Sequence, residues 1–160
     1  TPDVMTLAKG LGGGLPMGAL VAYGAAAQLL TPGSHGSTFA GNPVCAAAAL
    51  AVLDTIEADK LLDHVDALGK HLIGAIEALA HPLIREVRGR GLLIGIQLAE
   101  PVAAQANAAA ARAGFLTNAA GADVLRLAPP LILTEAQADT CVTAVPAILD
   151  DAVAAAATPG

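Results

Sequence analysis

Apolar residues return along this chain at more than one rhythm. Leu61, Leu62, Val65, Leu68, Leu72, Ile73, Ile76 and Leu79 recur every three or four positions, the spacing of one buried helix face. Asp59 stands where a capping residue belongs, and His81-Pro82 closes the run near residue 80, because proline disfavours helix in the residue before it. Residues 4 to 8 (VMTLA) and 18 to 23 (GALVAY) are short apolar runs bounded by glycine or polar residues. They predict buried strands. Residues 84 to 99 (IREVRGRGLLIGIQLA) predict a bent or paired strand, tight at Gly89 and Gly91. FLTN and VLRLAPPL predict short strands around the turn AAGAD.

The remaining helices announce themselves by their ends. Asn42-Pro43 places a capping side chain before proline at the first helical position, which opens an alanine-rich helix to about residue 57. Residues 25 to 30 predict a helical turn, and residues 31 to 43 (TPGSHGSTFAGNP) a loop. Residues 101 to 113 form a small amphipathic pattern stopped by Gly114. Thr134-Glu135-Ala136-Gln137 fits a capping box and starts a last helix to about residue 155. Pro146 is expected to kink or divide it, and residues 156 to 160 to fray. Strands alternating with helices give an α/β class.

Composition narrows the function classes. The 160 residues suffice for one domain or parts of two. The sequence opens at Thr1-Pro2-Asp3, which reads as a piece of a longer protein, so the lack of a leader pattern is silent on compartment. A net charge of −6 with eight scattered basic residues argues against nucleic acid. Tyr23, Phe39 and Phe115 are the only aromatics and make no stacking platform. Cys45 and Cys141 lie far apart without CxxC spacing, as expected of reduced, buried thiols in a cytosolic protein. His35, His64, His71 and His81 form no metal-binding pattern; His64 and His71 are expected on a solvated surface, and no metal is expected. The stretch from Gly10 to Leu53 carries no formal charge, yet glycines, Pro16, Pro32, Ser34, His35, Ser37 and Asn42 interrupt it. A membrane span needs about 20 mostly apolar residues in a row. A buried core, or a face covered by another chain, fits better.

That uncharged region isolates Lys9, in TLAKGLGGGLPMGAL. A phosphate-binding P-loop needs its lysine after the glycines, not before them, and GxGxxG fails because Leu15 and Met17 stand where the third glycine belongs. Two readings stay open. Lys9 can be an ordinary lysine reaching water beside a glycine turn. Alternatively, apolar surroundings without an acid favour the neutral amine, which condenses with carbonyl groups. Ser37 and Thr38, in a loop just before a capped helix, are either plain turn residues or anion ligands. Arg126, in a short strand ending at Pro129-Pro130, is either a surface arginine or a fork for a carboxylate. Arg88 and Arg90 flank Gly89 and are expected to be structural, pairing with acids or carbonyls.

Four motifs in order decide among these. TLAKGLGGGLPMGA resembles the cofactor-lysine segment of class III, ornithine-type aminotransferases, which use pyridoxal 5'-phosphate. HGSTFAGNPVCAAAALAVLD, VRGRGLLIGIQL and VLRLAPPL resemble that family's further signatures. The resemblance implies that Lys9 holds the cofactor and moves the proton. It implies that Thr38 reaches the cofactor phosphate of the neighbouring subunit, that Ser37 lies at the substrate, and that Arg126 binds the α-carboxylate of glutamate or 2-oxoglutarate. It implies a homodimeric, cytoplasmic enzyme with an active site shared between subunits. The implied fold is the C-terminal part of a type I PLP-dependent transferase. Residues 1–58 would end the large α/β domain, 59–82 form a linking helix, and 83–160 make a small α+β domain. The implied reaction moves the δ-amino group of N2-acetyl-L-ornithine to 2-oxoglutarate, with ornithine, succinylornithine or 4-aminobutyrate as alternative donors. The other cofactor-binding motifs would lie upstream, so these 160 residues alone are expected to be inactive. A non-catalytic assembly piece and a nucleotide-binding module are the rival classes.

Overall fold

In the computed structural model, which describes residues 1–157, the chain divides into Thr1–Lys60 and the residues from Leu61 onward. The first unit opens with β1 (Val4–Leu7) and β2 (Ala19–Ala22), paired antiparallel with Val4 opposite Ala22 and Leu7 opposite Ala19. The glycines between them form a 3-10 turn, Lys9–Gly12, closed by Gly13 at φ 60. A second 3-10 turn, Gly24–Gln28, precedes the loop. Helix α1 (Pro43–Ala58) begins as its sequence predicts: Asn42 Oδ1 accepts from the Val44 N–H at 2.9 Å and the Cys45 N–H at 3.2 Å. Such a cap contributes about 1 kcal/mol. Asp59, expected to cap the following helix, instead closes α1 with its own N–H on the Thr55 carbonyl at 3.0 Å. Lys60, at φ 51, then reverses the backbone, leaving Asp59 one residue too early to cap anything downstream.

Among the described residues of this unit only Gly12 and Ala49 are buried. Leu20, Leu29, Leu30, Phe39, Val44 and Leu50 are all exposed. One ribbon and one helix offer each other too little surface to cover them.

The second unit is built on a four-stranded antiparallel sheet in the order β3-β4-β6-β5. The hairpin of β3 (Ile84–Arg90) and β4 (Leu93–Leu98) fulfils the expectation of a paired strand, and it turns at Gly91 with φ 54. β6 (Val124–Leu127) pairs on the other side of β4. β5 shrinks to Asn118–Ala119, so the strand expected over FLTN does not form. Phe115 joins a small apolar cluster with Ala109, Ala110 and Ile148 instead, which draws the chain out of the sheet.

One sheet face is apolar: Val87, Ile94, Ile96, Leu98, Leu125 and Leu127 are buried, as strand alternation requires. Helix α2 (Leu61–Ala78) packs through Leu68, Leu72 and Ile76, the predicted stripe. It ends two residues earlier than expected, with Ala80 at φ 48. Gly69 allows it to press on the hairpin turn, since a Cβ there would lie 2.6 Å from the Gly91 carbonyl carbon. Helix α3 (Ala103–Arg112) lies against α4 (Glu135–Ala157), and the buried residues there are largely alanines: Ala103, Ala106, Ala109, Ala110, Ala138 and Ala152.

The capping box of α4 forms as predicted: the Thr134 N–H donates to Gln137 Oε1 at 2.9 Å, and the Gln137 N–H donates to Thr134 Oγ1 at 3.3 Å. Helix α4 runs through Pro146 undivided, contrary to a break. Proline costs an internal helix about 3 kcal/mol, whereas a buried aliphatic side chain contributes about 1.5–3 kcal/mol. Val145, Ile148 and Leu149 are all buried beside it, and their sum outweighs the penalty. Ala156 and Ala157 are helical rather than frayed, and the rest of that predicted segment, residues 158–160, lies outside the described residues. α4 is long and apolar enough by composition to cross a membrane, but Ala138, Val145, Leu149 and Ala152 belong to this core.

Both sheets are antiparallel throughout. The cysteines are free and half-buried; burial raises the Cys141 thiol above its ordinary value.

Candidate active site

Lys9 follows β1 directly, where the strand ends and the glycine turn begins. Its φ of 55 is a conformation that non-glycine residues rarely adopt, and such strain clusters at functional sites. Gly10, Gly12 and Gly13 let the turn close tightly: the Gly13 N–H reaches the Gly10 carbonyl at 3.0 Å, and the Leu15 N–H reaches that of Gly12 at 3.0 Å. The turn leans on α1, where a Cβ on Gly13 would come 3.1 Å from Val52 Cγ2.

Within this chain the Lys9 side chain is exposed, as the reading of a lysine reaching water allows. Its ammonium makes no hydrogen bond or ion pair among the described residues. The sequence shows why. The nearest acids along the chain are Asp3 and Asp54, and neither is paired with it.

Ser37 lines a recess of about 340 Å³ with Pro16, Met17, Gly18, Phe39 and Asn42. Neither Lys9 nor Thr38 lines it. The Ser37 and Thr38 hydroxyls make no hydrogen bonds among the described residues, while the Ser37 carbonyl accepts from the Ala40 N–H at 3.2 Å. The helix start itself offers less to an anion than expected, because Asn42 already occupies the amides of Val44 and Cys45.

Arg126 belongs to the second unit. It sits at mid-strand in β6, on the exposed face of the sheet, opposite Gly95 of β4. Its guanidinium has no partner among the described residues. Arg88 stands opposite the same glycine from β3. As expected of a structural arginine, it donates to Glu86 Oε2 at 3.2 Å and to Gln97 Oε1 at 3.1 Å. Arg90 does not follow that expectation and has no ion-pair partner among the described residues. Gln97 in turn donates to Asp123 Oδ2 at 2.5 Å. That brace escaped the sequence reading because its members are 26 positions apart, and only the β4–β6 register joins them.

Of the histidines expected on a solvated surface, His64 is half-buried, its Nε2 donating to the Leu133 carbonyl at 2.8 Å. His71 Nε2 meets Asp139 Oδ1 at 2.7 Å. The hydrogen bond to Asp139 raises the His71 pKa, partial burial opposes it, and the charges of Asp139 and Glu135 add to the rise.

A family profile described as "Aminotransferase class-III" matches residues 1–149. The chain belongs to the class III aminotransferases. An acetylornithine aminotransferase of Mycobacterium tuberculosis (strain H37Rv) is 66% identical over 155 residues, covering 97% of this chain and 39% of that protein. One from Streptomyces coelicolor is 58% identical over 151 residues, with 94% and 38% covered. The crystal structure of acetylornithine aminotransferase from Elizabethkingia anophelis matches with a TM-score of 0.83 at 36% identity, over 92% of this chain and 39% of that one. Plasmodium falciparum ornithine δ-aminotransferase matches at 0.85 and 32% identity, over 94% and 39%. The chain thus spans about 39% of the relatives' length. Its α/β architecture is theirs.

The donor set suits the cofactor of class III enzymes. An unpaired primary amine at Lys9 can hold a carbonyl carbon, and the hydroxyl of Thr38 can serve a phosphate.

Proposed function

We propose that this chain is part of a class III aminotransferase that moves the δ-amino group of N2-acetyl-L-ornithine to 2-oxoglutarate. The products are N-acetyl-L-glutamate 5-semialdehyde and L-glutamate. The observation that carries the reading is Lys9: an amine without acid partner, in strained backbone, on the glycine turn of a class III sequence. The donor assignment draws support from the names of the relatives at 58 to 66% identity.

Pyridoxal 5'-phosphate, when bound, supplies the electron sink that acidifies the hydrogen on the amine-bearing carbon. Lys9 Nζ would hold the cofactor carbonyl carbon in the resting enzyme. As a free amine the same Nζ would carry a proton from the amine-bearing donor carbon to the cofactor carbon it had held. In the second half-reaction it carries the proton in the opposite sense. Thr38 Oγ1 donates to the phosphate of the neighbouring subunit, and Ser37 borders the substrate. Arg126 holds the α-carboxylate of 2-oxoglutarate through two parallel N–H donors.

Residues 1–58 close a large cofactor-binding domain in this reading, 59–82 link, and 83–160 form the small domain. The working form is a cytoplasmic homodimer with active sites shared between subunits, and the 160 residues alone are inactive. The apolar side chains left exposed in the first unit support burial against the rest of such an assembly.

Borohydride reduction of the full-length enzyme with its cofactor, followed by peptide mapping, tests the Lys9 assignment. The expected result is a pyridoxyl group on Lys9 and none in Lys9→Ala. Label on another side chain overturns it. Steady-state rates with a panel of amines test the donor: equal rates on acetylated and free ornithine overturn that part alone.

A further inference from the structure

The exposed face of the second sheet carries a row that the proposed reaction does not yet use in full. Arg88, Gly95 and Arg126 are cross-strand partners on three adjacent strands, so their side-chain positions share one face. Neighbouring strands lie about 4.8 Å apart, which puts the two arginine backbones roughly 10 Å from each other. Gly95 between them has no side chain. The gap is part of an open recess of about 390 Å³ lined by Arg88, Arg90 and Arg126, with no acid on its wall. In a chain with eight basic residues and a net charge of −6, three arginines around one recess, only Arg88 of them offset by an acid, Glu86, concentrate positive potential there.

The two arginines facing the gap are prepared differently. Among the described residues none of the Arg126 donors has a partner. Arg88 spends one N–H on Glu86 and one on Gln97, and Gln97 is tied to Asp123. That brace fixes Arg88 while leaving it three further N–H donors.

We infer that Gly95 is a specificity-determining residue: its missing side chain opens an anion seat between Arg126 and a braced Arg88, and the anion is a carboxylate of the oxo-acid substrate. Arg88 is a second carboxylate-binding residue in this seat, and Glu86 and Gln97 are its positioning residues. Through the hydrogen bonds of Glu86 and Gln97 its guanidinium is aimed before substrate arrives, which lowers the ordering cost of binding. The inference rests on the reading of Arg126 as the carboxylate arginine. It adds that Arg126 does not act alone and that position 95 controls access.

The test uses the full-length enzyme. A Cβ on Gly95 would lie 3.5 Å from Val124 Cγ1 and 3.9 Å from the Arg88 carbonyl, ordinary contact distances, so Gly95→Ala should keep its thermal midpoint. Its methyl group would stand in the seat. The expected result is a rise of about tenfold in KM for 2-oxoglutarate, with kcat within about twofold and KM for the amine donor unchanged. Arg88→Gln, which leaves the backbone alone, should raise the same KM about fivefold and reduce its dependence on ionic strength. Competitive inhibition by glutarate should weaken in parallel in both variants. If Arg126→Gln raises KM while Gly95→Ala and Arg88→Gln leave it unchanged, the seat is refuted and the role of Arg126 stands. If Arg126→Gln is also without effect, the underlying reading fails. Should Gly95→Ala not fold, Arg88→Gln decides alone.

Discussion

Two glycines on one helix should respond oppositely to the same substitution. Gly69 and Gly74 both lie within α2. Alanine is favoured over glycine in a helix interior by about 1 kcal/mol. At Gly74 nothing stands within 4 Å of the added methyl, so Gly74→Ala should stabilise by about 0.5–1 kcal/mol. At Gly69 the methyl would meet the main chain of Gly91, with the carbonyl carbon at 2.6 Å and Cα at 2.9 Å. A flexible side chain could yield; a turn held in a left-handed conformation between two paired strands cannot. Overpacking costs about 1–3 kcal/mol even where side chains can move. Setting that against the helix preference, Gly69→Ala should lose up to about 2 kcal/mol net. Denaturant unfolding of the full-length protein, followed by helical circular dichroism, reads the order directly. The midpoints should rank Gly74→Ala above wild type and Gly69→Ala below it, at unchanged slope. A Gly69→Ala protein as stable as Gly74→Ala would refute the claim that backbone contact sets the distance between helix and hairpin.

Two further expectations follow from single contacts. The His71–Asp139 pair raises the histidine's pKa above its ordinary 6.5, so its stabilisation is full below pH 6.5 and fades as pH rises through the higher folded value. The stability gap between wild type and Asp139→Asn should therefore be widest in acid and close toward alkaline pH, with the His71 titration by NMR moving down in the variant. A gap independent of pH would count against it. Thr134→Ala removes the hydroxyl that accepts from the Gln137 N–H and should cost about 1 kcal/mol of stability; an unchanged unfolding midpoint would show that the cap is idle.

What the sequence disclosed depended on how local the physics was. The α1 cap at Asn42, the capping box at Thr134, the stripe from Leu68 to Ile76 and the turn at Gly91 all rest on neighbours a few positions apart, and each was readable. Pro146 did not divide α4, because its penalty is local while the burial of Val145, Ile148 and Leu149 that overrides it is tertiary. FLTN has strand-forming residues, yet Phe115 found partners on α3 and α4. At the site, Lys9, Ser37, Thr38 and Arg126 were singled out by residue type and motif. The exposure of Lys9 within this chain matches one of its two sequence readings, since lack of charge along the chain does not by itself supply a cover. The brace from Glu86 through Arg88 and Gln97 to Asp123 needed the strand register before it existed as an idea.

The alanine seam between α3 and α4 limits how this molecule can drift. Where leucine meets leucine, a lineage can trim one partner and enlarge the other. Here the incumbents are already the smallest apolar side chains, and the only step down is glycine, which weakens the helix itself. Every other step is outward, and outward steps push two helices apart. Tolerance along Ala103, Ala106 and Ala110 is thus lopsided, and compensation has to come from the opposite helix or not at all.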